Sequence, residues 1–254
     1  MLFSRKQNIN FLDSIPSSAR ETERWDREWI NYLNTEDPRP FLIPYDNLHK
    51  EQAVIDNFSK LSEAEILDVR LCQELPALRI WIPGSDLVNK KVLEIGCGPG
   101  FLGKQMGLVA QHYLGIDYSK LALSIAKLVS PNNCNYIHIS ERQNILKYAN
   151  SIDTMVGRFF FIHQNFDNAI WLLKLAHILL KSGGVVSADF YKPTSGIEQG
   201  IVFPAKHNLS SQYPSCAFEY SQLEIQELAA QCGFKIASTH HHLEMQRLFV
   251  RFEK

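Results

Sequence analysis

Residues 92–103 read Val-Leu-Glu-Ile-Gly-Cys-Gly-Pro-Gly-Phe-Leu-Gly. Gly96, Gly98 and Gly100 stand at every second position, directly after a short apolar run. Glycine has no Cβ and adopts positive φ freely, so backbone at such a turn can approach a ligand closely. The run Lys91 to Ile95 predicts a buried strand, and the residues after Gly100 predict the start of a helix. A strand, a glycine turn and a helix N-terminus leave N–H donors pointing into one cradle, the arrangement that suits a nucleotide.

The surrounding pattern extends that unit. Strands are expected at 91–95, 112–117, 134–139, 152–157 and 184–190, and helices at about 100–110, 119–129 and 165–181. Such alternation implies a parallel sheet with helices on both faces. Gly183-Gly184 reads as the C-cap of the third helix. Residues 191–220 carry Pro193, Gly196, Gly200, Pro204 and Pro214 and are expected to form an irregular lid or binding loop. Ser221-Gln222-Leu223-Glu224 is a capping box opening a helix to about Cys232, and strands at about 234–239 and 245–252 would follow.

Residues 1–88 are read as an N-terminal helical extension or lid, and 89–254 as the main domain. Ser18-Ala19-Arg20-Glu21 is a capping box, and Trp25, Trp29 and Leu33 form one stripe on its helix. Ser62-Glu63-Ala64-Glu65 opens a second helix carrying Ile66, Val69 and Leu71.

Bulk composition narrows the partners. Lys and Arg total 26 against 27 Asp and Glu. A dedicated nucleic-acid binder usually shows a basic excess, so none is expected as a partner. The five cysteines are widely spaced with no Cys-x-x-Cys, which disfavours disulfides and structural zinc. No stretch approaches the roughly 18 apolar residues of a membrane span. The expectation is a cytoplasmic protein with no membrane partner and no metal. His240-His241-His242 reads as a solvated turn, because consecutive strand residues alternate faces and do not converge on one ion.

The glycines fit two templates. Gly98-Pro-Gly100-Phe-Leu-Gly103 matches the dinucleotide pattern G-x-G-x-x-G. Read from Glu94, the same residues are acid-x-Gly-x-Gly-x-Gly. The flanks favour the second template. Glu94 would repel pyrophosphate but suits a cationic sulfonium ligand, and Pro99 removes an N–H that pyrophosphate would use. Asp117, in Gly115-Ile116-Asp117-Tyr118-Ser119, stands where a carboxylate can accept both ribose hydroxyls in either case.

With these flanks, Val92–Gly103, Gly115–Ser119 and the stretch from Ser140-Glu141 to Val156 resemble the cofactor motifs of class I S-adenosylmethionine-dependent methyltransferases. Leu180-Lys181-Ser182-Gly183-Gly184-Val185 and the segment from Glu227 to Phe234 resemble that family's turns into its fifth and sixth strands. The resemblance covers about 89–190 and 221–252. It implies a Rossmann-like, doubly wound α/β fold with a mostly parallel seven-stranded sheet, and S-adenosyl-L-methionine as cofactor. Gly96, Cys97, Gly98 and Gly100 would then lie along the cofactor. Glu94 would polarise the amino-acid end and Asp117 would bind the ribose. Tyr118 would cover the adenine, while Glu141, which replaces the family's usual Asp, would meet the adenine amino group beside Arg142.

Methyl transfer from a sulfonium is an in-line displacement, so the protein mainly supplies alignment. His163 is the candidate base, against the plainer reading of a helix cap. Arg158, Phe159 and Tyr191, past the ends of the fourth and fifth strands, are the candidate acceptor side. Trp25 and Trp29 would roof it, although a stripe of this kind also serves simple helix packing. Gly157-Arg158-Phe159-Phe160 stands where DNA-amino and protein-glutamine methyltransferases carry an Asn-Pro-Pro-Tyr-like tetrad, and no glutamate pair brackets the loop. A small organic acceptor remains, methylated on oxygen, nitrogen or carbon. The alternatives are a silent S-adenosylmethionine-binding module and a nicotinamide-dependent oxidoreductase. Titration with NADH tests the oxidoreductase, and incubation with methyl-labelled cofactor and candidate extracts tests the silent module.

Overall fold

The computed structural model describes residues 18–35, 82–100, 102–192, 202–207, 217–243 and 246–254. The predicted second helix from Ser62, the Leu33 side chain and much of the 191–220 stretch lie outside the described residues.

The centre of the sheet is β1 (Lys91–Ile95), buried from Val92 to Ile95. It pairs in parallel with β2 (His112–Asp117) on one side and β4 (Ile152–Gly157) on the other. β3 (Cys134–His138) flanks β2, and β5 (Leu180–Tyr191) flanks β4, both in parallel. Such near-continuous apolar strands are what a sheet covered on both faces requires. β9 (Arg247–Glu253) runs antiparallel between β5 and β8 (Lys235–His242). The fold is the expected doubly wound one. The chain order reverses between β1 and β4, and the crevice at their carboxyl ends is where such folds bind ligands.

The expected sheet needs one correction. Among the described residues it has nine strands, because two short ones, β6 (Val202–Pro204) and β7 (Ala217–Glu219), occur inside the stretch read as irregular. Their three-residue length hides any period of two. Burial of Ala217 and Phe218, and the Tyr191–Glu219 pairing that hooks β7 to β5, hold them in place.

Of the helices, α1 (Ser18–Thr35) stands where its capping box predicted. α2 covers only Gly103–Met106, not the predicted eleven residues, since two glycines four apart, Gly103 and Gly107, weaken it. α3 (Lys120–Val129) is capped by Ser119, and a short α4 spans Arg142–Leu146. α5 (Phe166–Leu179) is capped by Asn165, and α6 (Gln222–Cys232) by the predicted Ser221–Glu224 box. Gly183-Gly184 does not cap α5. Gly183 N–H donates to the Lys254 carbonyl and Gly184 accepts from Lys254 N–H, while the Lys254 ammonium donates to the carbonyls of His177 and Leu180. A terminal lysine thus fills the role assigned to glycine.

α5 and α6 bury one face of the sheet in a cluster with Trp171, Phe190 and Phe252. α2 and α3 bury the other with Met106, Tyr113 and Phe249. His240-His241-His242 belongs to β8 and not to a turn, with His240 and His242 both beside Phe249. Among the described residues no three metal-ligating side chains gather, and no helix is long and apolar enough to cross a membrane.

Candidate functional site

The carboxyl ends of β1, β2 and β4 enclose a cavity of about 230 Å³ roofed by α1. Its floor is the glycine turn. Gly96, Gly98 and Gly100 all have positive φ, at 70°, 51° and 79°. Their surroundings differ. A Cβ on Gly96 would lie 2.1 Å from the Phe160 ring, and one on Gly98 would lie 2.7 Å from Trp29. A Cβ on Gly100 would instead meet Ala126 and the Tyr136 hydroxyl at 3.0 Å. Gly96 and Gly98 border the cavity, whereas Gly100 lets the turn pack on α3 and β3.

Asp117, at the tip of β2, clamps this turn. Its Oδ2 accepts from Gly98 N–H at 2.8 Å and its Oδ1 from Ser119 N–H at 2.8 Å. Burial pushes its pKa up to about 6, opposed by those N–H donors. A carboxylate has about four lone-pair sites, so both oxygens keep capacity to accept from a ligand hydroxyl. Cys97 lines the same wall, and burial raises its thiol well above the ordinary range, so it acts as a small neutral residue.

Glu94 lies one layer behind the cavity. It is 2 % exposed and accepts a short hydrogen bond from the Tyr113 hydroxyl. Burial raises its pKa to about 7, and the nearby Arg158 charge works against that rise.

The roof comes from α1. Trp25 and Trp29 both line the cavity. Trp25 meets the His163 ring edge-on at 5.2 Å, and its buried Nε1 has no hydrogen-bond partner among the described residues. The helix is tied down by Asp26, whose Oδ1 accepts from Ser119 Oγ at 2.6 Å and from Leu121 N–H at 3.1 Å at the start of α3. Thr22 Oγ1 lies 2.9 Å from His138 Nε2, which also sits 2.8 Å from the Tyr118 carbonyl. Tyr118, Arg158, Phe159, Phe160 and His163 complete the lining. Phe159 has φ 50°, a conformation side chains rarely adopt, and its N–H donates to Asp189 Oδ1 at 2.8 Å.

Five of the site residues expected from sequence do not line the cavity: Glu94, Gly100, Glu141, Arg142 and Tyr191. The exposed Glu141 turns back on its own loop, accepting from His138 N–H at 3.2 Å and from Asn144 at 2.9 Å, and these bonds lower its pKa. Arg142 opens α4 and does not line the cavity. Tyr191 lies under the Arg247 guanidinium, 3.7 Å from its ring centre. Sequence reasoning missed Asp26, His138, Tyr113 and Arg247. Asp26 carried a weak signal as the acid beside Trp25. The others carried none, since each acts through a partner distant in sequence.

Residues 93–188 match the family model described as "Methyltransferase domain". That segment is under half of the chain, and it is similar to methyltransferase domains. Among curated proteins, the chain is 31 % identical over 115 residues to a ubiquinone biosynthesis O-methyltransferase of Aromatoleum aromaticum, covering 42 % of this chain and 49 % of that one. It is 33 % identical over 109 residues to the like-named protein of Cupriavidus pinatubonensis, covering 40 % and 44 %. The chain thus spans about half the length of the curated relatives it matches. A methyltransferase structure from Mesorhizobium loti aligns with TM-score 0.54 at 17 % identity, over 71 % of this chain and 97 % of that one. The magnesium protoporphyrin IX methyltransferase of Synechocystis aligns with TM-score 0.51 at 14 % identity, over 90 % and 100 %. At such identity these two likenesses speak to the fold.

The residues present suit S-adenosylmethionine, the cofactor that the sequence resemblance implies. The cradle at Gly96 and Gly98 would be filled by any Cβ, Asp117 retains accepting capacity, and the Trp25 Nε1–H is an unused donor on the wall.

Proposed function

We propose that this chain transfers a methyl group from S-adenosyl-L-methionine to a small organic acceptor. The observation that carries the reading is the buried Asp117 carboxylate, locked to the Gly98 N–H at the mouth of the β1–β4 crevice. The curated relatives named as O-methyltransferases support an oxygen acceptor, and the balanced charge supports a small molecule over nucleic acid. When bound, the cofactor supplies an electrophilic methyl group. This chain's residues supply position: Gly96 and Gly98 make room, Asp117 accepts from the ribose hydroxyls, and Tyr118 covers the base. Glu94 sets a negative potential behind the turn. His163, which lines the cavity beside Trp25, takes the acceptor's proton where the acceptor arrives protonated. α1 serves as the lid of this site, and its tryptophans exclude water from the reacting centre.

The direct test is incubation with methyl-labelled cofactor and small-molecule extracts, followed by mass analysis of labelled products. Cofactor binding with labelling of an extract component supports the reading. Tight binding without any labelled product moves the chain to the silent binding class.

A further inference from the structure

From Val92 to Ile95, β1 is apolar except at Glu94, which is 2 % exposed. A buried carboxylate is costly unless something answers its charge, so packing alone does not account for it. Beside Glu94 in the β1–β2 register stands Gly115. A Cβ on Gly115 would lie 2.6 Å from the Tyr136 ring and 2.8 Å from Cys97 Sγ, so no larger residue fits there. Tyr113, two residues earlier on β2 and on the same face, reaches across to the carboxylate. It is fully buried, and its hydroxyl donates to Glu94 Oε2 at 2.5 Å.

Two tyrosine hydroxyls come together under the start of α2, where Gly103 makes room for them. A Cβ on Gly103 would lie 2.5 Å from the Tyr136 hydroxyl and 2.7 Å from that of Tyr113. The Tyr136 hydroxyl pairs with Ser130 Oγ, which leaves the Tyr113 hydroxyl to Glu94. Four other titratable groups face Glu94. Arg158, past the end of β4, favours its charged form, and Asp117, at the tip of β2, opposes it. Cys97 in the turn and Tyr136 on β3 are kept neutral by burial. Burial also raises Tyr113 well above the ordinary range, so it stays a donor. Burial pushes Glu94 up to about 7, against the Arg158 charge and the Tyr113 hydrogen bond. The carboxylate thus stands near its midpoint, where losing a single donor changes its charge at neutral pH.

We propose that Tyr113 is a positioning residue for the cofactor: its hydroxyl holds the Glu94 carboxylate in place and charged behind the glycine turn, and so weights the site toward the cationic sulfonium over the neutral thioether left after methyl transfer. This role rests on the methyl-transfer reading and adds to it a means of telling loaded cofactor from spent. The two ligands share ribose, base and amino-acid groups, and differ by one methyl group and one positive charge. Asp117 and the glycine cradle meet the shared parts, so they move both affinities together. A buried charge acts across the turn through protein, not water, and is screened little, so Glu94 acts on the difference.

S-adenosylmethionine and S-adenosylhomocysteine are titrated calorimetrically, from about pH 6 to about pH 9, into four proteins. These are the wild type, Tyr113→Phe, Glu94→Gln and a protein carrying 3-fluorotyrosine at position 113. The quantity read is the ratio of the two affinities, in which the Asp117 contribution cancels. The ligands' own amino groups titrate in every series, so the Glu94→Gln series is the baseline. Against it, the wild-type ratio is expected to move about tenfold toward S-adenosylmethionine as the pH rises through about 7. Tyr113→Phe moves that midpoint up by about one unit, the weight of one hydrogen bond to a charged acceptor. Its ratio is then about threefold lower at pH 7.5 and recovers by about pH 9. The fluorinated hydroxyl is a stronger donor of nearly the same shape and moves the midpoint down, which keeps the test decisive if Tyr113→Phe does not fold. A wild-type ratio that follows Glu94→Gln at every pH overturns the role. So does a midpoint that neither Tyr113→Phe nor the fluorinated residue moves, because Tyr113 would then only fill space. Failure of the wild type to bind either ligand counts instead against the methyl-transfer reading.

Discussion

At the scale of single residues, Asp117 concentrates the chemistry of the site. It is buried, its pKa is pushed up to about 6, and two backbone N–H groups hold it. Hydroxyl donors from a ligand can bind only its ionised form as strong acceptors. Asp117→Ala is therefore expected to weaken S-adenosylhomocysteine binding by about a hundredfold, the combined weight of two hydrogen bonds to a charged acceptor. Calorimetry reads this directly, and unchanged affinity would remove Asp117 from the site. The same carboxylate predicts a pH profile: affinity is level above about pH 7 and falls about tenfold per unit well below pH 6, where binding must first expel a proton. A profile flat down to pH 5 would mean that Asp117 is not the acceptor. Gly98→Ala tests the floor beside it. Left-handed φ costs an ordinary residue about 1–2 kcal/mol, and here the new methyl also meets Trp29, so both melting temperature and affinity should drop. Asp117 and the glycines were legible in the sequence because their roles are local, set by a turn and a strand tip. Glu141 was misplaced for the converse reason. Its expected contact depended on which way the side chain left the loop, and bonds to His138 N–H and Asn144 decide that.

At the scale of elements, α1 matters most, because among the described residues it is what brings the N-terminal region to the site. Its attachment is polar and narrow: Asp26 accepts two hydrogen bonds at the start of α3, and Thr22 meets His138. A carboxylate at a helix N-terminus contributes about 1 kcal/mol. Asp26→Ala should therefore cost little global stability, yet raise the S-adenosylhomocysteine dissociation rate about fivefold, the kinetic equivalent of that energy. Stopped-flow tryptophan fluorescence follows this through Trp25 and Trp29. An unaltered off-rate with normal α1 helicity would show that the helix is a fixed wall and not a lid. The existence of α1, of five central strands and of α6 could be read from capping boxes and apolar periodicity. What could not be read is where α1 docks, since Asp26 meets Ser119 and Leu121, and Thr22 meets His138, across 93 to 116 residues. β6 and β7 escaped for lack of length, and the Gly183-Gly184 cap failed because Lys254, far along the chain, takes the same carbonyls.

At the scale of the whole molecule, three buried carboxylates couple function to stability. Glu94 is raised to about 7, and Asp117 and Asp189 to about 6, each chiefly by burial. A group whose folded pKa exceeds its unfolded value stabilises the fold fully below the unfolded pKa, and that contribution is lost as pH rises through the folded pKa. The window here runs from about pH 4 to about pH 7. Lowering the pH from 7.5 to about 5.5 should thus raise the melting temperature of the ligand-free protein, by a free energy on the order of 3 kcal/mol. His112 and His177, whose pKa values burial lowers, act with the opposite sign below about pH 6.5 and limit the gain, so stability should peak near pH 5.5–6. Cofactor binding reverses part of this trend, because it requires Asp117 ionised. The rise in melting temperature caused by saturating S-adenosylhomocysteine should be largest above pH 7 and shrink below pH 6. Two scanning-calorimetry series, with and without ligand, would then both rise toward pH 5.5 but converge, the gap between them narrowing below pH 6. A ligand-free melting temperature that falls steadily from pH 7.5 to 5.5 would contradict the burial of these carboxylates. If the ligand-free protein does gain stability but the ligand effect fails to shrink, Asp117 has been given the wrong role, and the acceptor of the ribose hydroxyls must be sought elsewhere along the cavity.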